Sequence, residues 1–180
     1  MRQPVTADNL QVFMKALAAV VSTPSRIYLV GGATSVLLGW RTSTIDIDLK
    51  IIPESDEILR SLPPLKERLQ VNIELASPGD FIPELPGWQE RSRFIQQEGK
   101  LAFYHYDFYA QALAKIERGH RMDSLDVHQL IASGLVDPKR LLELFLMIED
   151  QLYRYLALDA PAFRRAVERA TAVHNTVDEG

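Results

Sequence analysis

The chain has 180 residues, 47% of them hydrophobic and 24% charged, with no cysteine and a net charge of −4. That length and balance allow one globular domain, or a domain with a helical appendage, and enough apolar surface for a core. The lack of cysteine excludes disulfides, thiolate zinc sites and a cysteine nucleophile, and the mild acidity implies no broad nucleic-acid surface. No apolar run reaches membrane-spanning length, and the N-terminus lacks a charged-then-apolar export pattern. A cytoplasmic protein without membrane contact is expected.

Thr6 or Asp8 can cap a first helix ending near Val21, because Leu10, Phe13, Leu17 and Val20 or Val21 recur at three- and four-residue steps. Thr23-Pro24-Ser25 breaks it. Ile27, Leu29 and Val30 then form a short buried strand that ends at Gly31-Gly32. Paired glycines let the chain turn at once and let another group approach the backbone. The short helix that follows opens with free N–H groups, where phosphates bind, and Thr34 and Ser35 add hydroxyls to its first turn.

A second strand, IDIDLKI, carries Asp46 and Asp48. Side chains alternate along a strand, so both carboxylates leave one face while Ile45, Ile47 and Leu49 leave the other. Two adjacent carboxylates repel unless something positive sits between them. A hard divalent cation that shares its shell with substrate phosphates fits that need. A phosphate cradle and metal acids joined by one short helix point to phosphoryl or nucleotidyl chemistry.

Gly31-Gly32 followed by Asp46-Ile47-Asp48 resembles the signature of the nucleotidyltransferase superfold, in its small prokaryotic toxin-type branch. The resemblance covers about the first two-thirds of the chain. It implies an α/β (α+β) fold, a mixed sheet with helices, and transfer of a nucleotidyl group from an NTP to a hydroxyl acceptor. Mg²⁺ or Mn²⁺ would sit on Asp46 and Asp48, and Gly31, Gly32 and Ser35 would cradle the phosphates. The second motif position is Gly32 rather than Ser. One side-chain phosphate contact is therefore missing, and backbone N–H groups or Ser35 must serve instead.

Pro53 closes the second strand, and Ser55 to Leu69 reads as helix interrupted at Pro63-Pro64, as two short helices or one with a sharp bend. Leu69 to Ser77 alternates with period two, so Val71, Ile73 and Leu75 share one face and Asn72 and Glu74 the other. Beside the Asp46/Asp48 strand, Glu74 becomes the candidate third acid that the resembled superfold uses to assist the metal or activate the acceptor. Asn72 shares that face but cannot act as a base. Ser77 to Trp88 is a Pro- and Gly-dense loop, and RFIQQ and KLAFYHY around Glu98-Gly99 predict a β-hairpin.

From Asp107 the chain turns helical. Asp107 caps a helix to Arg118, Asp123 one to Ser133, Asp137-Pro138 a long one to about Leu158, and Asp159 with Pro161 the last, with fraying from Asn175. The expected division is residues 1–106 as an α/β core and 107–180 as a helical C-terminal subdomain. Lys115, Arg118, Asp123 and Asp126 resemble a helix-loop-helix of abortive-infection-type nucleotidyltransferases, where the Lys reaches nucleotide phosphates and the acids brace it. His105, His120, His128 and His174 show no metal-ligand spacing, and Arg164, Arg165 and Arg169 form a basic face whose default is solvation. RNA, protein and small molecules all stay open as acceptors, as do a partner protein and a homo-oligomer. Gly32 and the uncertain third acid also leave open a second class, a non-catalytic or antitoxin-like binding module of the same fold.

Overall fold

The computed structural model describes residues 1–172, and the tail expected to fray from Asn175, with His174, lies outside them. The chain divides into two compact units, one from Met1–Ser77 and Ser92–Tyr106, the other from Pro78–Arg91 and the chain from Asp107. The architecture is α+β: a five-stranded mixed sheet with helices, then a run of helices. Among the described residues, no helix is long and apolar enough to cross a membrane.

In the first unit, helix α1 (Ala7–Val20) starts at Thr6, whose hydroxyl accepts the Asn9 N–H while the Asn9 side chain accepts the Thr6 N–H. This reciprocal cap satisfies two N–H groups that the helix itself cannot. Strand β1 (Ser25–Val30) leads to the short helix α2 (Gly32–Leu37), then β2 (Asp46–Ile52), helix α3 (Asp56–Leu69), β3 (Asn72–Leu75), and the hairpin β4 (Arg93–Glu98) and β5 (Leu101–His105). The spatial order is β3-β2-β1-β5-β4. β1 runs antiparallel to β2 and parallel to β5, and β2 runs parallel to β3. One sheet face carries Ile27, Leu29, Ile47, Leu49, Ile51, Ile73 and Phe103 into a core with Leu10, Phe13 and Leu17 of α1 and Ile58, Leu62 and Leu65 of α3.

Two expectations need correction here. Pro63 and Pro64 neither split nor end α3, which runs unbroken through both. Both prolines lie on its exposed face, while Ile58, Leu62 and Leu65 still bury the other face. Ile45 is not buried with Ile47 and Leu49; it is 77% exposed because the strand starts only at Asp46. Leu75 is 51% exposed, at the end of the edge strand where no further strand covers it.

The second unit contains a 3₁₀ turn (Pro78–Asp80), α4 (Trp88–Arg91), α5 (Phe108–Arg118), α6 (Arg121–Ala132), α7 (Pro138–Ile148), a 3₁₀ segment (Glu149–Arg154) and α8 (Ala160–Ala172). Asp107 caps α5 and Asp137 caps α7, with Pro138 at its first turn. Asp123 is not the cap of α6. The helix begins two residues earlier, and Asp123 in its first turn accepts the His120 N–H at 3.2 Å. The long helix to Leu158 is also shorter than expected: α7 stops at Ile148 and tightens into the 3₁₀ segment. Leu141, Leu144, Phe145 and Ile148 are buried, and Phe145 meets Phe163 of α8 edge-to-face at 5.0 Å.

Candidate active site

The site begins where β1 ends. Val30 pairs with Asp48, and the next residue, Gly31, has φ +63° and ψ −125°, a conformation open to glycine and strained for other residues. A Cβ on Gly31 would lie 3.5 Å from Asp48 Oδ2, so the bend passes directly against that carboxylate. Gly32 is glycine for a different reason. A Cβ there would fall 2.0 Å from Thr44 Oγ1 and 2.6 Å from Thr44 Cβ, so no side chain fits.

Along β2 the burial alternates, with Ile47 and Leu49 fully buried and Asp46 and Asp48 half-buried on the opposite face. The parallel register of β3 sets Glu74 beside Asp48 and Asn72 beside Asp46. Asn72 Nδ2 donates to Asp46 Oδ1 at 2.7 Å and to Glu74 Oε1 at 2.9 Å. One neutral amide therefore supplies its two N–H bonds to two carboxylates that would otherwise only repel. Both acids accept from the amide, which also fixes its orientation.

Among the described residues, no group of three or more His, Cys, Asp or Glu side chains could hold a metal ion. What the sheet offers is two half-buried carboxylates on one face. That oxygen donor set fits Mg²⁺, which commonly takes one or two carboxylates and completes its shell with water and substrate phosphate.

Residues 9–167 match a family described as nucleotidyltransferase of unknown function (DUF6036). The chain belongs to this nucleotidyltransferase family. No curated protein and no solved structure matches it.

In this family member the two hydroxyls after the glycine bend turn inward. Ser35 is 2% exposed, and its backbone N–H donates to the Gly31 carbonyl at 3.1 Å. Thr34 is also buried, with Oγ1 3.3 Å from the Leu29 carbonyl and 3.0 Å from His105 Nδ1. The start of α2 is thereby tied to β1 and β5. His105 is thus a buried partner of the bend.

Burial and the nearby charge of Arg93 push the His105 pKa down to about 4. The unfolded chain binds a proton below its ordinary value of about 6.5 while the folded protein does not. Stability from this group is complete above pH 6.5 and is lost as pH falls towards 4, with a slope of at most about 1.4 kcal/mol per pH unit. Urea unfolding at several pH values should show this slope in the native protein and a flatter one in His105→Gln. Equal slopes would mean that the imidazole titrates alike in both states.

Lys115 lies in the second unit, on the face of α5 that also carries Asp107 and Gln111. Its ammonium donates to Asp126 Oδ2 at 2.7 Å and stands 3.8 Å from Asp123 Oδ1. Arg118 grips Asp123 with two hydrogen bonds, from Nε at 2.8 Å and from its terminal nitrogen at 2.5 Å. Burial pushes the Asp123 carboxyl up, but the hydrogen bonds and charge of Arg118, the Lys115 charge and the His120 N–H outweigh it and hold it below its ordinary range.

Two residues beyond the expected set stand out. Thr44 abuts the bend, and no sequence pattern signals it, because the contact joins a loop to a glycine. Gln111 is buried one helical turn from both Asp107 and Lys115, and the four-residue spacing of these three polar residues was its signal.

Proposed function

We propose that the protein transfers a nucleotidyl group from a nucleoside triphosphate to a hydroxyl acceptor and releases pyrophosphate. The observation that supports this best is the seating of the Gly31 backbone against Asp48, with Asp46 on the same half-buried face. Asp46 and Asp48 would hold Mg²⁺ or Mn²⁺, which when bound supplies positive charge to the reacting phosphates. Gly31 and Gly32 carry no side chain of their own, and phosphate oxygens would approach the backbone at Gly31, beside Asp48. The acceptor oxygen bonds to the α-phosphorus as the bond to the pyrophosphate oxygen breaks, and the acceptor proton passes to a base. Glu74, beside Asp48 and exposed, is the group assigned to take it. Asn72 holds Glu74 and Asp46 at fixed places and cannot itself serve as base.

The toxin-type reading adds a cytoplasmic setting and an acceptor that is an RNA end, a protein hydroxyl or a small molecule. It also allows a neutralising partner protein. The test is transfer of label from each of four α-labelled nucleotides, with Mg²⁺ and then Mn²⁺, onto cell RNA, cell protein and small molecules. A parallel thermal-shift titration should show stabilisation of about 2.7 kcal/mol at a hundredfold excess over Kd. No labelled product and no shift with any nucleotide would sink the catalytic reading and leave a binding module of the same fold.

A further inference from the structure

We propose that Thr44 supplies the side-chain hydroxyl that meets the triphosphate at the glycine bend, in the place that a side chain at residue 32 would otherwise fill. The inference rests on the nucleotidyltransferase reading and names a contact residue for it. A Cβ built on Gly32 lies 2.0 Å from Thr44 Oγ1, so the threonine hydroxyl already occupies the volume of a residue-32 side chain. Its position is fixed from behind. The Thr44 N–H donates to the Val5 carbonyl at 2.9 Å, the Val5 N–H donates to the Thr44 carbonyl at 2.7 Å, and Val5 is fully buried in the core. Thr44 also stands two residues before Asp46, so the same segment aims the hydroxyl and the first acid.

The other hydroxyls at the bend are poorly placed for this work. Thr34 is buried against Leu29 and His105, and Ser35 is buried within α2. Thr44 is half-buried, and among the described residues its hydroxyl makes no hydrogen bond. A hydroxyl that donates to a phosphate oxygen makes a charge-assisted bond. The bend thus keeps one side-chain donor although its second glycine carries none.

The test measures binding of each NTP with Mg²⁺ by calorimetry, which needs no turnover. Thr44→Ser should bind as the native protein does. Thr44→Val, close in volume but without the hydroxyl, should bind roughly ten- to a hundredfold more weakly. Gly32→Ser alone should lose binding through the clash. Because Thr44 Cβ itself would lie 2.6 Å from a residue-32 Cβ, the compensating change is Thr44→Gly, and Gly32→Ser with Thr44→Gly should recover most of the affinity. Native-like binding by Thr44→Val, at an unchanged melting temperature, would overturn the proposal while leaving the nucleotidyltransferase reading intact. Absence of NTP binding by the native protein would overturn both. If the double variant does not fold, the serine and valine variants decide.

Discussion

Asp48→Asn should lower nucleotidyl transfer by at least about a hundredfold, and Asp46→Asn with Asp48→Asn should bring it to background. The fold should survive, because both side chains sit half-buried on the sheet face opposite the core, and asparagine matches aspartate in shape. Each neutralisation also relieves repulsion among Asp46, Asp48 and Glu74, which lie on neighbouring positions of adjacent strands. Asn at residue 46 still presents an oxygen to the Asn72 amide, so that bridge is kept. Three measurements make the case: the rate of label transfer, the melting temperature, and the thermal shift with nucleotide and Mg²⁺. A double variant that transfers label at the native rate would remove the two acids from the chemistry. Loss of transfer together with a collapsed melting temperature would mean that they act on the fold instead.

Lys115→Met should cost about 2–4 kcal/mol of unfolding free energy, and Asp126→Leu less, because Asp123 still faces the ammonium. The two side chains are 10% and 6% exposed and meet at 2.7 Å. Removing Lys115 takes the ammonium from the buried Asp126 carboxylate, and removing Asp126 leaves Lys115 with the longer 3.8 Å contact to Asp123. Making both changes together should restore most of the loss, because well-packed apolar groups of similar volume often replace a buried pair without penalty. Asp123 keeps its Arg118 partner in every variant. Urea unfolding is the measurement, and a cost for Lys115→Met below about 1 kcal/mol would place this pair with ordinary surface ion pairs. The double variant also tests the phosphate role implied by resemblance. Restored stability with normal transfer makes Lys115 a structural residue of the second unit. Restored stability with a raised KM for NTP makes it a phosphate contact.

Much of this protein was written locally. Alternation in IDIDLKI put Asp46 and Asp48 on one face, and the same rule on VNIEL gave Asn72 and Glu74 theirs. Thr6, Asp107 and Asp137 announced three helix starts, because capping depends on residues only a few positions apart. Two local signals misled. Pro63-Pro64 signals a break, yet the apolar face of α3 has enough partners in the core to hold the helix through both. Asp123 has the chemistry of a cap, yet Arg118 and the His120 N–H draw it into the first turn of α6.

The sequence by itself determined the kinds of chemistry available: two acids on one strand face, a glycine bend before them, and no thiol anywhere. The tertiary structure decided which of those groups meet. Strand order set Glu74 next to Asp48, and the Val5–Thr44 bridge set a hydroxyl against Gly32. Residue periodicity fixes the side from which a side chain leaves its own strand or helix. Its neighbour across the sheet is chosen by long-range pairing and core packing, which no short window of sequence contains.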